Sequence, residues 1–325
     1  MQNLKISVGL WGFAPCIDRF ATKGYKSDLS LDEVFSQIKQ IKHLSGVELM
    51  YPGDFQQRDN LNRFLRDTGL KVSNVMVDTF SNPKWRHGAL THQNQEIRRD
   101  AFDLIEEAVQ SAKDVDCGSV TLWLGQDGFD YPFQVDYIES WKLLVNSIKQ
   151  IAQRNPSVNI GLEYKPKEPR THSFIPGVGE TVLLTKIINR DNVGVVLDFG
   201  HALMADENAA NSLCLILEEA KLIDVHLNDA YGKWDDDMLP GTVHLWESIE
   251  FFVYLLDSNY NGWIGLDIFP YREDPLSACS MAVDNLRSLI SMAKKVNVQS
   301  LKSAQQTMDS ISTQRVIRNV LFSEG

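Results

Sequence analysis

Four short apolar runs in the second half of the chain each finish on a residue that can ligate a metal. They are Val158-Asn159-Ile160-Gly161-Leu162 ending in Glu163, Gly194-Val195-Val196-Leu197 ending in Asp198, Leu222-Ile223-Asp224-Val225 ending in His226, and Trp263-Ile264-Gly265-Leu266 ending in Asp267. Each has the length of a strand buried on both faces, and each is followed by loop residues and then by helical periodicity. The first half follows the same pattern. Runs at 4–11, 46–50, 71–78 and 119–123 alternate with helical patterns at 30–41, 58–68, 96–115 and 135–154, and Ser30 or Asp32 is placed to cap the first helix. Further helical patterns fall near 181–189, 208–220, 246–256 and 276–295. Eight strand-helix repeats without an antiparallel insertion predict an α/β fold, a closed parallel (β/α)8 barrel over residues 1–296. The polar tail, 297–325, carries Val316, Ile317, Val320, Leu321 and Phe322 as an apolar patch, expected to pack on the barrel's outside or on a neighbouring subunit.

In such barrels chemistry sits at the carboxyl ends of the strands. A buried strand has no reason to finish on a charge unless that charge has a partner, because an unpaired ionised group away from water is costly. The four endings therefore predict convergence on one cation. Taken singly, each signal has an ordinary structural explanation: Glu163 with Lys165 as a buried ion pair, Asp198 as a helix cap, Asp235-Asp236-Asp237 as a solvated loop. Their joint placement at strand ends outweighs those explanations.

Composition narrows the partner class. The 325-residue length suits one large barrel, and a net charge of −11 argues against phosphate-backbone binding, so no nucleic acid is expected. No apolar run approaches a membrane span, and the N-terminus goes straight into an alternating segment without a signal-peptide pattern. Cys16, Cys117, Cys214 and Cys279 are widely spaced, as reduced thiols of a cytoplasmic protein would be.

Five motifs carry a resemblance. Glu163-Tyr164-Lys165-Pro166, Leu197-Asp198-Phe199-Gly200-His201, Asp224-Val225-His226-Leu227-Asn228, Lys233-Trp234-Asp235-Asp236-Asp237 and Gly265-Leu266-Asp267-Ile268-Phe269-Pro270 occur in that order, with a weaker match at Asp78-Thr79-Phe80 and Leu122-Trp123-Leu124-Gly125. Together, over about 71–275, they resemble the xylose isomerase-like TIM barrels, with a metal site nearest the rhamnose isomerase type. The resemblance implies metal ligation by Glu163, Asp198, His201, His226, Asp235, Asp237 and Asp267. It implies catalytic roles for Lys165, Asp237 and Glu163, and a substrate wall of Phe80 and Trp123. Asn228 and His244 are further candidate substrate contacts. The sequence departs from the xylose isomerases where their ring-opening His would stand, at Met50, and Glu48 could face the site instead.

Hard carboxylate oxygens with imidazoles suit Mn²⁺, Mg²⁺ or Co²⁺, one or two per subunit. The expected activity is aldose-ketose isomerisation of an unphosphorylated sugar by metal-assisted hydride shift, in a cytoplasmic homo-oligomer. The alternatives are a ketose 3-epimerase or sugar-cleaving lyase of the same fold, or a non-catalytic subunit.

Overall fold

A computed structural model describes residues 4–322. The barrel strands are β1 (Lys5–Gly9), β2 (Gly46–Tyr51), β3 (Lys71–Val77), β4 (Ser119–Trp123), β5 (Asn159–Glu163), β6 (Val193–Asp198), β7 (Leu222–Leu227) and β8 (Trp263–Leu266). Every strand pairs in parallel with its chain neighbours, and β1 pairs with β8 to close the barrel. The helices outside are α1 (Leu31–Ile38), α2 (Arg58–Thr68), α3 (Gln95–Asp114), α4 (Tyr137–Arg154), α5 (Val178–Ile188), α6 (Phe199–Met204), α7 (Ala209–Glu219), α8 (Leu245–Asp257) and α9 (Pro275–Lys295). The expected (β/α)8 fold is thus the observed one.

The continuous apolar runs arise because a parallel strand packs the barrel interior on one face and the helix ring on the other. All six residues of β6 are buried, for example. Local signals set the helix starts. Ser30 and Glu33 form a reciprocal capping box on α1, and Asp274 caps α9 ahead of Pro275.

One expectation fails. The loops after β4 and β5 do contain an antiparallel insertion, in which Gly128 pairs with Ser173 and Phe129 with His172. The ribbon is secured by Asp130, which accepts from Thr171 Oγ1 at 2.8 Å and Arg170 Nε at 2.9 Å. Two-residue strands are too short to show an alternation, so the pattern could not reveal them. Trp85, in the loop after β3, is buried in the core.

The tail forms α10 (Val298–Gln306) and α11 (Ser310–Leu321). Lys302 pairs with Asp257 at 2.9 Å and Gln305 Nε2 donates to Tyr254 Oη at 3.0 Å, tying α10 to α8. Val316, Ile317, Val320 and Leu321 pack partly buried against the core, while Phe322 stays exposed. No helix among the described residues is long and apolar enough to cross a membrane.

Candidate active site

Glu163, Asp198 and His226 close β5, β6 and β7 or lie within their last turn of chain, and Asp267 follows β8 directly. Adjacent parallel strands in register bring these ends together: Glu163 lies level with Val196, and Asp198 with His226. One ligand atom from each of the four lies within 4.8 Å of the other three, and all four residues are buried. His226 Nδ1 stands 3.4 Å from Glu163 Oε1 and 3.5 Å from Asp267 Oδ2. Trp11, just past β1, donates its indole N–H to Asp267 Oδ1 at 2.6 Å.

A second cluster shares Asp198 with the first and adds His201 and Asp235, again with ligand atoms within 4.8 Å of one another. The Asp-x-x-His spacing has a local cause. Asp198 Oδ1 caps α6 by accepting from His201 N at 2.7 Å, and one helical turn carries the imidazole back over the strand end. The capping reading and the cluster reading of Asp198 therefore hold together. Asp235 Oδ2 meets His201 Nε2 at 3.0 Å and Lys165 Nζ at 2.7 Å, and Lys165 also pairs with Glu168.

The electrostatics explain why the cluster calls for positive charge. Burial pushes the Asp198 carboxyl up to about 7 although His201 opposes it. Against burial, Asp198 and Asp235 raise His201 to about 9, and Glu48 and Glu163 hold His226 well above the usual imidazole range. Burial and the Asp235 and Asp267 charges likewise push Asp237 well up. Against the same penalty, His201 and Lys165 keep Asp235 below the ordinary carboxylate range, and Asp235 and Glu168 keep Lys165 charged. Proton uptake is one way to balance so many buried acids, and a divalent cation is the other. The donors fit the second way. Glu163 Oε2, His201 Nδ1, His226 Nδ1 and Asp235 Oδ1 are buried without a hydrogen-bond partner, as atoms aimed at an ion would be. The donor set is oxygen and imidazole, suited to Mg²⁺, Mn²⁺ or Co²⁺.

The supporting shell was partly legible. Glu48 does point inward, but it sits beneath the cluster rather than in place of a ring-opening His. Its Oε2 meets His226 Nε2 at 3.0 Å, and its Oε1 accepts from Ser7 Oγ at 3.1 Å. A Cβ on Gly265 would stand 1.8 Å from Glu48 Oε1, so glycine there leaves room for the carboxylate. A carboxylate accepting from one ring nitrogen fixes the tautomer and presents the other as a ligand. Glu48→Gln is expected to weaken divalent-metal affinity by about 10- to 100-fold, measured by calorimetric titration, with the fold unchanged by circular dichroism. Unchanged affinity would leave Glu48 a mere filler of the barrel.

Two candidate substrate contacts, Asn228 and His244, do not line the cavity that lies above the clusters. Asn228 is fully buried behind Asp198, donating to Asp198 Oδ2 at 3.1 Å and accepting from Gly200 N at 2.8 Å, an arrangement that orients the acid. His244 is held at the head of α8 by Asp229, whose Oδ1 meets His244 Nδ1 at 2.9 Å and whose Oδ2 accepts from the backbone of Val243 and His244. Both positions follow a strand end or motif closely, and nothing in residue type separates a residue beside a site from one inside it.

Above the clusters lies a cavity of about 230 Å³. Glu163, Lys165, His201, Asp235, Asp237 and Asp267 supply its polar lining, and Trp11, Met50, Met76, Phe80 and Trp123 its apolar lining. Phe80 and Trp123 meet edge to face with centroids 4.5 Å apart, and Lys165 Nζ lies 5.2 Å from the Trp123 ring centre. Asp237 lines the cavity but stands outside both clusters of close ligand atoms. Trp11 and Glu168 are cavity residues to which the sequence reading gave no role, although each follows a strand end.

Comparison with known proteins agrees with this barrel. The family model described as xylose isomerase-like TIM barrel matches residues 37–295, and the chain belongs to that family. It is 28% identical over 218 residues to the xylose isomerase of Thermus thermophilus, covering 64% of this chain and 56% of that enzyme. It is 22% identical over 339 residues to a probable sugar isomerase of Mesorhizobium japonicum, covering 98% of this chain and 77% of that protein. The chain thus spans little more than half of the Thermus enzyme. Among solved structures, the Escherichia coli 3-keto-D-glucoside 4-epimerase superposes with a TM-score of 0.68 at 19% identity, covering 88% of this chain and 100% of that one. The D-psicose 3-epimerase of Clostridium cellulolyticum gives 0.69 at 15% identity, covering 88% and 99%. At such identities these two likenesses concern the fold. The two relatives by sequence are named as a xylose isomerase and a probable sugar isomerase.

Proposed function

We propose that the protein is a divalent-metal-dependent aldose-ketose isomerase acting on an unphosphorylated sugar. The observation that carries this reading is the pair of ligand clusters sharing Asp198 beside a small cavity, with the Lys165 ammonium next to them and Phe80, Trp123, Met50 and Met76 as apolar lining. The cavity is smaller than the roughly 300–1,000 Å³ of drug-sized sites, in keeping with a monosaccharide. Lys165 is its one lysine among the described residues and is already paired with Asp235 and Glu168, so no free ammonium is there to hold a phosphate.

A divalent cation held by Glu163, Asp198, His226 and Asp267 would supply Lewis acidity toward the sugar oxygens. The remaining work falls to side chains. Isomerisation breaks the C2–H bond as a C1–H bond forms, the electron pair travelling with the hydrogen, while O2 loses a proton and O1 gains one. Lys165, fixed by Asp235 and Glu168, is placed to donate to O1 as charge develops there. Asp237, free of both clusters yet facing the cavity, can carry the O2 proton. Trp123, Phe80, Met50 and Met76 keep water from the path of the hydrogen.

Proton transfer at carbon, the epimerase chemistry, is the second reading. It is favoured by Glu163 Oε2, a buried carboxylate oxygen without a hydrogen-bond partner that could serve as a base. An aldose deuterated at C2, turned over with Mn²⁺, separates the two. Retention of most label at C1 of the ketose is the expected result. Full washout into solvent would replace the hydride shift with proton transfer.

A further inference from the structure

The cavity over the clusters does not end at its outer wall. Asp235, Asp237, Phe269 and Tyr271 also line a second cavity of about 530 Å³, larger than the first, so the two chambers share a wall. Three barrel loops build the outer chamber. The loop after β1 supplies Asp18 and Tyr25, the loop after β7 supplies Trp234, and the loop after β8 supplies Arg272.

Its side chains are held in place. Tyr25 donates its hydroxyl to Asp18 Oδ2 at 2.9 Å, meets Tyr271 edge to face at 5.5 Å, and lies under the Arg272 guanidinium at 5.2 Å. Lys26 donates to the Pro270 carbonyl, strapping the β1 loop to the β8 loop. Trp234 remains 38% exposed, an indole on the chamber wall.

We propose that the outer chamber is a subsite for a second sugar ring, so that the preferred substrate is a sugar carrying a glycosyl substituent. This rests on the sugar reading of the inner site. Aromatic rings offer apolar faces to the C–H side of a pyranose while carboxylates accept from its hydroxyls, and the chamber holds both kinds of group. Asp18, Asp235, Asp236, Asp237 and Glu273 against Arg272 make it unfavourable to phosphate or other anions. The shared wall puts one ring beside Asp235 and Asp237 within reach of a substituent on Trp234.

The test is calorimetric titration of the whole protein, loaded with Mn²⁺, with glucose and xylose and with cellobiose, maltose and lactose. At least one disaccharide is expected to bind about three- to tenfold more tightly than the monosaccharides. Trp234→Ala and Tyr25→Ala, on different loops, should each remove that advantage and leave monosaccharide affinity unchanged. Equal or weaker disaccharide binding, or an advantage that survives both substitutions, overturns the subsite. Monosaccharide binding and turnover alongside that result would leave the isomerase reading standing, whereas no binding of any of the five sugars would bring down both.

Discussion

Asp198→Asn is expected to lower kcat/KM by at least about a thousandfold, because the several kcal/mol that a cation supplies to a developing charge would be forfeited. Asp198 is shared by two of the three groups of close ligand atoms among the described residues, the third being Glu48, Asp224 and His226, so its charge matters to both ion positions beside the cavity. Asparagine is the informative replacement. Its amide oxygen can still accept from His201 N and cap α6, so it removes the ligand charge at the cost of the one hydrogen bond from Asn228 to Oδ2. Metal content of the purified variant should fall in parallel, with circular dichroism unchanged. Full activity with depleted metal would mean that the acids at the strand ends serve folding alone.

The second large effect concerns Lys165. Lys165→Met keeps the side-chain length and removes the ammonium that Asp235 and Glu168 hold in the cavity. A single preorganised donor at a developing oxyanion accounts for about 10²–10³ in kcat, and a loss of that size is expected here. KM should change much less, and metal should stay bound, since Glu163, Asp198, His226 and Asp267 are untouched. Steady-state kinetics with a metal assay separate the possibilities. An unchanged kcat would reduce Lys165 to the structural partner of a buried ion pair.

What the sequence made legible follows from burial. Glu163, Asp198, His226 and Asp267 announce themselves because a charged residue closing a fully buried run is costly unless something balances it, and four such runs in a parallel barrel must end on one face. His201 came from the family likeness, and one turn of helix beyond Asp198 accounts for where it stands. Phe80 and Trp123 came from the family likeness and do line the cavity. The supporting residues were harder. Glu48 lies inside a strand whose neighbours Val47 and Leu49 are equally buried, so its alternation says inward but not beneath which partner. Asn228 and His244 stand near the site in sequence yet are engaged by Asp198 and Asp229. Only the packing of separate strands decides that. The ribbon joining 128–129 to 172–173 is a long-range pairing of four residues, with no periodicity to read.

The central claim is that acids and imidazoles from separate strands cage a divalent ion. Crystals soaked in Mn²⁺ and measured at the manganese absorption edge test it most directly. The expected map carries an anomalous peak bounded by Glu163, Asp198, His226 and Asp267. An empty position there, with manganese bound elsewhere or nowhere, would contradict the claim.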